Sequence, residues 1–167
     1  MRIAFFADNF YPELSGIVDS VLITGKELTK RGHSVVYVGP HYSPKDYTLV
    51  GKQCHKQKGS ELIDGMPIVR LPSLPLPYSP TGQSHFAFPT GRAVKFLRQW
   101  KPDIIHTHSP YGCGFEAKKA ARKLDVPLVG TNHTPVEEFY PFAPTLMRRF
   151  DAWSTTIAIL LLHPTKI

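Results

Sequence analysis

Three stretches of this chain carry side chains able to do chemistry. Asp103-Ile104-Ile105-His106-Thr107-His108-Ser109-Pro110-Tyr111-Gly112 holds two imidazoles two positions apart. Side chains alternate along a strand, so His106 and His108 fall on one face and Thr107 on the other. Such a pair could share a metal ion. Alternatively, His106 packs inside the sheet and His108 emerges at its edge as a hydrogen-bonding ligand. In Gly130-Thr131-Asn132-His133-Thr134-Pro135-Val136-Glu137, His133, Thr134 and Glu137 could hydrogen-bond a polyhydroxylated ligand. Thr134 as a cap, Pro135 at the first helical position and Glu137 three residues on read equally well as a helix start. In Asn9-Phe10-Tyr11-Pro12-Glu13-Leu14-Ser15-Gly16, Ser15 and Gly16 precede a helix. There a glycine lets the backbone approach a pyrophosphate or a sugar hydroxyl at the positive helix end. The same residues also satisfy a plain strand-to-helix turn.

These stretches need a frame, and the hydrophobic pattern supplies one. Ile3 to Ala7 is a short apolar run ended by Asp8 and Asn9, as in a strand buried on both faces of a parallel sheet. Val18, Val21, Leu22, Gly25 and Leu28 then recur at helical spacing up to Arg31, and Gly32 stops the helix. A second strand, Val35–Gly39, follows. The alternation resumes with a helix at Thr90–Trp100, a strand at Asp103–His108, a helix at Phe115–Leu124, a strand at Pro127–Asn132 and a helix at Thr145–Trp153. This is an α/β, Rossmann-like, doubly wound and mostly parallel sheet, whose ligands gather beyond the carboxyl ends of the strands. Between Pro40 and Pro89 only Pro67–Leu71 reads as a strand. Leu71 to Tyr78 reads as a loop, because its prolines remove backbone donors. Long loops of this kind often carry function.

The chain has 167 residues, 42% hydrophobic and 20% charged, enough for one globular domain. No stretch reaches the roughly 20 apolar residues of a membrane span, and the start does not read as a signal peptide, so a cytoplasmic location is expected. Cys54 and Cys113 follow no metal or redox spacing and are expected as free thiols. The net charge of +7 favours an anionic partner. Ala93, Phe96, Leu97 and Trp100 share one helical face opposite Arg92, Lys95 and Arg98. Likewise Ala117, Ala120, Ala121 and Leu124 lie opposite Lys118, Lys119, Arg122 and Lys123. Both helices are basic and amphipathic. Their charged faces are either simply solvated or attach to anionic lipid at the inner face of a membrane. No zinc-finger spacing or aromatic-interleaved basic motif points to nucleic acid.

Five motifs in this order carry a resemblance: Met1-Arg2-Ile3-Ala4-Phe5-Phe6, Tyr11-Pro12-Glu13-Leu14-Ser15-Gly16-Ile17-Val18, Glu27-Leu28-Thr29-Lys30-Arg31-Gly32-His33-Ser34-Val35, Lys101-Pro102-Asp103-Ile104-Ile105-His106-Thr107-His108 and Thr131-Asn132-His133-Thr134-Pro135. Together they resemble the amino-terminal lobe of the retaining GT-B-fold glycosyltransferases of family four, also called glycosyltransferase group 1. Arg70-Leu71-Pro72-Ser73-Leu74-Pro75 is similar to glycolipid-forming members such as diacylglycerol glucosyltransferases. The resemblance implies a nucleotide-sugar donor, UDP- or GDP-linked, and a lipid or carbohydrate acceptor, with no cofactor in this lobe. It implies Ser15 and Gly16 near the donor diphosphate, and His108 against the transferred sugar as the catalytic residue. It implies His133, with Thr134, Glu137 and Tyr111, on the acceptor side. In that family a second, carboxyl-terminal lobe holds most of the nucleotide. Residues 1–153 read as the amino-terminal domain alone, so this polypeptide is expected to fold but to transfer sugar negligibly. Residues 154–167 read as an atypical tail, truncated or shifted in frame.

Three rival readings stand beside this one. A metal-dependent hydrolase would use His106, His108 and His133, since zinc needs three protein ligands and an open position. A nicotinamide-dependent enzyme would need Gly-x-Gly-x-x-Gly after the first strand and an acid after the second, where Val38-Gly39-Pro40 stands. A non-catalytic binding module is the third.

Overall fold

A computed structural model describes residues 1–52, 56–57, 60–76 and 82–133. Cys54, Thr134, Glu137, the helix expected at Thr145–Trp153 and the tail from Ser154 lie outside the described residues. In chain order the elements are β1 (Arg2–Phe6), α1 (Gly16–Lys30), β2 (Ser34–Pro40), α2 (Pro44–Leu49), β3 (Lys56–Gln57), β4 (Ser60–Ile63), β5 (Met66–Leu71), β6 (Ser73–Pro75), β7 (His85–Ala87), α3 (Arg92–Trp100), β8 (Ile104–Thr107), α4 (Gly112–Leu124) and β9 (Leu128–Gly130).

The main sheet has the order β3-β4-β5-β2-β1-β8-β9. Strands β5, β2, β1, β8 and β9 run parallel, and β4 and β3 continue the β5 edge antiparallel. The chain therefore winds outward from β1 through β2 to β5, then returns to the other side of β1 at β8. That reversal places a switch point between β1 and β8, where open α/β sheets bind ligands.

Strand alternation divides the core into two layers. Ile3, Phe5, Val35 and Tyr37 face α1 with Val21, while Ala4, Phe6, Val36 and Val38 pack with Ala93, Val94 and Leu97 of α3 and Ala117 and Ala120 of α4. Gly25 lets α1 lie close to the sheet, since a β-carbon there would meet the Tyr37 hydroxyl at 2.0 Å. Gly32, at φ 83°, ends α1 as its sequence position predicts.

The structure corrects several expectations. The Pro40–Pro89 stretch holds α2, β3, β4, β6 and β7 besides β5. Leu71–Tyr78 is not all loop, because β6 pairs antiparallel with β7 in a separate two-stranded sheet. Pro72 joins through its carbonyl, which accepts from Phe88 N at 2.8 Å, and Leu76 N donates to Ser84 O at 2.8 Å. Two strands need few donors, so prolines that would break a central strand are tolerated. Phe96 belongs to the outer half of α3, 36% exposed, and Val94 takes the buried place. Helix α4 starts at Gly112, three residues before the expected Phe115. Cys113 is a free thiol, as expected, and is buried.

Candidate functional site

The loops after β1, β8 and β9 leave the same edge of the sheet, because these three neighbouring strands are parallel. They carry Ser15 and Gly16, His108 with Tyr111, and His133. Hydrogen bonds stitch the first two loops together. Asp8 N donates to Ser109 Oγ at 2.9 Å, Ser109 Oγ donates to Asp8 Oδ2 at 2.6 Å, and Cys113 N donates to Asp8 Oδ1 at 2.9 Å. His108 N adds a bond to Phe6 O at 2.7 Å. Burial raises the Asp8 carboxyl above the ordinary carboxylate range, against these hydrogen bonds, which lower it.

His106 and His108 do share a face, as alternation predicts. Their rings stack at 4.2 Å, and each meets Phe5 edge-on, at 5.3 and 5.1 Å. This is the α1 face, so the imidazoles and the start of α1 stand on one side of the sheet. The picture of His106 inside and His108 emerging is reversed: His108 is 5% exposed and His106 is half-buried. The reason is that β8 ends at Thr107, so the next residue turns in over Phe5 while His106 lies near the rim against Thr131.

One ring nitrogen of each histidine has a definite partner. His106 Nε2 shares a hydrogen bond of 2.7 Å with Thr131 Oγ1, and His108 Nδ1 shares one of 2.9 Å with His133 Nε2. Burial, and then the neighbouring His106 and His133, push the His108 pKa down to about 3, so its ring is neutral near pH 7. Burial, with His133 second, lowers His106 as well. His108 Nε2 is buried and meets no hydrogen-bonding partner among the described residues. If His108 Nδ1 donates to His133, Nε2 is a bare acceptor. If it accepts, Nε2 carries the proton. A hydroxyl both donates and accepts, so it satisfies Nε2 in either tautomer, and leaving such an atom unpaired costs about 1–3 kcal/mol.

These contacts do not support a metal-dependent hydrolase. Two imidazole nitrogens on one tetrahedral zinc stand about 3.3 Å apart with the ion between them, whereas His108 and His133 meet directly and His106 is bonded to Thr131. Among the described residues no group of three or more His, Cys, Asp or Glu side chains is arranged to hold a metal ion.

At the first loop, Ser15 caps α1: its Oγ accepts from Val18 N at 3.3 Å. Gly16 opens the helix, and a β-carbon built there meets nothing within 4 Å, so the space beside it is clear. Tyr111 is exposed just before α4. Thr134 and Glu137 are outside the described residues.

Four buried charged residues had no role in the sequence reading. Glu13 accepts from Asn9 Nδ2 at 2.9 Å, Ser84 Oγ at 3.1 Å and Tyr42 OH at 3.3 Å. Arg70 forms a two-pronged pair with Glu61, 2.9 Å from Nε and 2.6 Å from Nη2. It also donates to Pro40 O at 2.9 Å and Tyr11 O at 2.7 Å. Burial opposes its charge, but Glu61 more than offsets this and raises its pKa. Glu116, fully buried in α4, accepts from Gly91 N at 2.8 Å and Ala93 N at 3.0 Å and so caps α3. Asp8 is the fourth, legible in the sequence only as the end of a strand.

A doubly wound sheet with a buried, neutral His108 and an open helix start at its switch point defines an α/β domain of the kind that gathers ligands at that edge. The chain belongs to Glycosyltransferase Family 4, whose sequence profile matches residues 14–162, from inside the first turn to beyond Trp153. It is 31% identical over 160 residues to a GDP-mannose-dependent alpha-mannosyltransferase of Corynebacterium glutamicum, covering 94% of this chain and 35% of that protein. A protein of the same description from Mycobacterium tuberculosis is 29% identical over 154 residues, covering 92% of this chain and 38% of its own length. An alpha-monoglucosyldiacylglycerol synthase of Streptococcus pneumoniae is 29% identical over 140 residues, covering 83% and 28%. The chain thus spans between 28% and 38% of the length of these relatives.

Proposed function

We propose that this chain is the amino-terminal, acceptor-side unit of a retaining glycosyltransferase that moves a sugar from a nucleotide-sugar to a membrane lipid. The observation that carries the reading is the buried Nε2 of the neutral His108 at the switch point, which meets no partner among the described residues. A neutral imidazole suits a sugar hydroxyl better than a phosphate, which would call for a charged or multiply donating partner. The start of α1, with clear space at Gly16, suits the diphosphate. In this division Ser15 and Gly16 face the leaving diphosphate, and His108 orients the transferred sugar. His133, tied to His108, lines the acceptor side with Tyr111, Thr134 and Glu137. GDP- and UDP-sugars are the donors to test first, the former because two relatives are named for GDP-mannose.

The lipid acceptor draws support from the surface. Leu74 and Phe86 pair across the β6–β7 hairpin, 60% and 39% exposed, and Leu76 and Phe88 continue the same outward apolar face. Phe88 lies three residues before Gly91, where an added β-carbon would stand 3.2 Å from the Lys119 ammonium. Lys118, Lys119, Arg122 and Lys123 share a surface hollow with Phe115, and Arg92, Lys95 and Arg98 are exposed on α3. Apolar residues rimmed by cations fit an anionic bilayer at its cytoplasmic face. Among the described residues no helix is long and apolar enough to cross a membrane.

The test uses the 167-residue chain with GDP-mannose and UDP-glucose, following the His108 ring signals by NMR. The sugar nucleotide should move them and the bare nucleoside diphosphate should leave them in place. Turnover should be negligible, because the donor's remaining ligands belong to a second lobe. Equal movement with the bare diphosphate, no movement with either sugar nucleotide, or turnover like that of a two-lobed relative would refute the reading.

A further inference from the structure

We propose that Glu13 and Arg70 are positioning residues that set the Ser15–Gly16 end of α1, an inference resting on the reading of that end as the diphosphate edge. The turn from Asn9 to Ser15 is gripped at three points by the stretch between Pro40 and Ser84. Arg70 Nη2 donates to Tyr11 O at 2.7 Å. Glu13, 2% exposed, takes hydroxyls from Tyr42 and Ser84. Leu14 N donates to Gln83 Oε1 at 3.0 Å. The grips come from β5, from the segment after β2 and from the segment before β7, and they add to two bonds within the turn, Glu13 N to Phe10 O at 3.0 Å and Asn9 Nδ2 to Glu13 at 2.9 Å.

The geometry explains why charged groups are buried here. A guanidinium can bond two carbonyls from separate segments while its remaining edge pairs with a carboxylate, and Arg70 does this with Pro40 O, Tyr11 O and Glu61. One carboxylate can accept from three donors, and Glu13 joins the turn, the segment after β2 and the segment before β7 in that way. The first-turn amides of α1 follow this turn within a few residues. Helix-start donors act on an anion only when they are aimed at it, and a misplacement of about 1 Å can cost on the order of a hundredfold. On this view the long stretch after β2 serves as a brace for the donor edge, in addition to any part it has in acceptor recognition.

Two other roles make different predictions. A purely electrostatic Glu13 would repel the diphosphate, so removing its charge would tighten binding. A purely structural Glu13 would lower stability and leave the helix start as it was. The experiment uses the nitrogen-15-labelled 167-residue chain, unsubstituted and as Glu13→Ala, Glu13→Gln, Ser84→Ala and Arg70→Lys. Amide exchange and shifts are recorded for Ser15 to Asp19 against Val36 and Val38 as core references, and each protein is then titrated with GDP and UDP.

Glu13→Ala, Ser84→Ala and Arg70→Lys should speed exchange at the helix start about tenfold, leave the core amides unchanged, and weaken the diphosphate titration about tenfold. Glu13→Gln keeps an acceptor oxygen and should stay within about twofold of the unsubstituted chain. Should Glu13→Ala fail to fold, Ser84→Ala releases one of the two hydroxyl grips on Glu13 without altering the turn. Unmoved helix-start amides in Ser84→Ala and Arg70→Lys would overturn the inference, and so would tighter diphosphate binding in both Glu13 variants. Helix-start amides that respond in a chain binding neither nucleotide would uphold the brace and sink the diphosphate edge instead.

Discussion

At the scale of single residues, His108 joins burial to chemistry. Its ring stacks on His106 and meets Phe5 edge-on, and its pKa of about 3 in the fold stands against 6.5 for an unperturbed histidine. A base whose folded pKa is depressed binds fewer protons in the fold than in the unfolded chain between those two values. Its contribution is therefore fully present above about pH 6.5 and is lost as pH falls towards 3, by up to about 1.4 kcal/mol per pH unit. His106 and His85, also lowered by burial, act in the same direction. Asp8, raised by burial, acts in the opposite one. Urea denaturation of the unsubstituted chain and of His108→Gln between pH 7.5 and pH 5 separates these terms. The variant should lose stability less steeply on acidification, and parallel curves would show that His108 does not carry the effect. The residue types at the site were readable in the sequence, but their depths were not. Which of two histidines on one strand face is enclosed depends on where the strand stops and what the neighbouring strand places beneath it.

At the scale of elements, close approach decides what the helices can tolerate. A β-carbon at Gly112 would stand 1.8 Å from the Ala87 carbonyl oxygen, a backbone atom of β7. One at Gly25 would meet the Tyr37 hydroxyl at 2.0 Å and its ring carbon at 2.9 Å, the far end of a side chain. Overpacking of this kind costs about 1–3 kcal/mol, and more where the neighbour cannot move. Gly112→Ala should therefore lower stability more than Gly25→Ala in chemical denaturation. Adding Tyr37→Phe should recover part of the Gly25→Ala loss, and a larger loss for Gly25→Ala would contradict this account. Elements with strong local signals were legible, as β1, α1, β2, α3 and α4 show. Two further signals were present and went unread. Asp64 and Gly65, both at positive φ, form the two-residue turn between β4 and β5, and Ser43-Pro44-Lys45-Asp46 starts α2 with Asp46 accepting from Ser43 N and Oγ. The buried carboxylates offered no such signal. Glu116 caps a helix 25 residues away, Glu13 bonds Ser84 across 71 residues, and Asp8 bonds Ser109 across 101. Side-chain bonds over those separations follow from the sheet order, which no short window of sequence contains.

At the scale of the whole molecule, the two faces of the sheet differ in what they carry. The α1 face carries the imidazoles and the helix start. The α3–α4 face carries seven cations, of which Arg92, Lys95, Arg98, Arg122 and Lys123 are exposed and Lys118 and Lys119 half-buried, and the β6–β7 hairpin carries exposed apolar residues. Each cation near an anionic leaflet contributes about 1 kcal/mol, within a screening distance of about 10 Å at 0.1 M salt. Neutralising the four of α4 with glutamine should therefore weaken attachment by roughly 4 kcal/mol, about a thousandfold. The hairpin supplies a different term. Phe86→Ser removes apolar area and no charge, so its loss should persist at high salt, where the cations contribute little. Co-sedimentation with phosphatidylglycerol vesicles, repeated with phosphatidylcholine and at rising salt, reads both terms. The unsubstituted chain should pellet with the anionic vesicles at low salt and progressively less as salt rises. The α4 variant should stay in solution throughout, and Phe86→Ser should fall below the unsubstituted chain at every salt concentration. Equal binding to neutral vesicles, or binding indifferent to salt, would mean that these cations only solvate the helices they decorate, and binding to neither kind of vesicle would send the search for the acceptor to soluble carbohydrates.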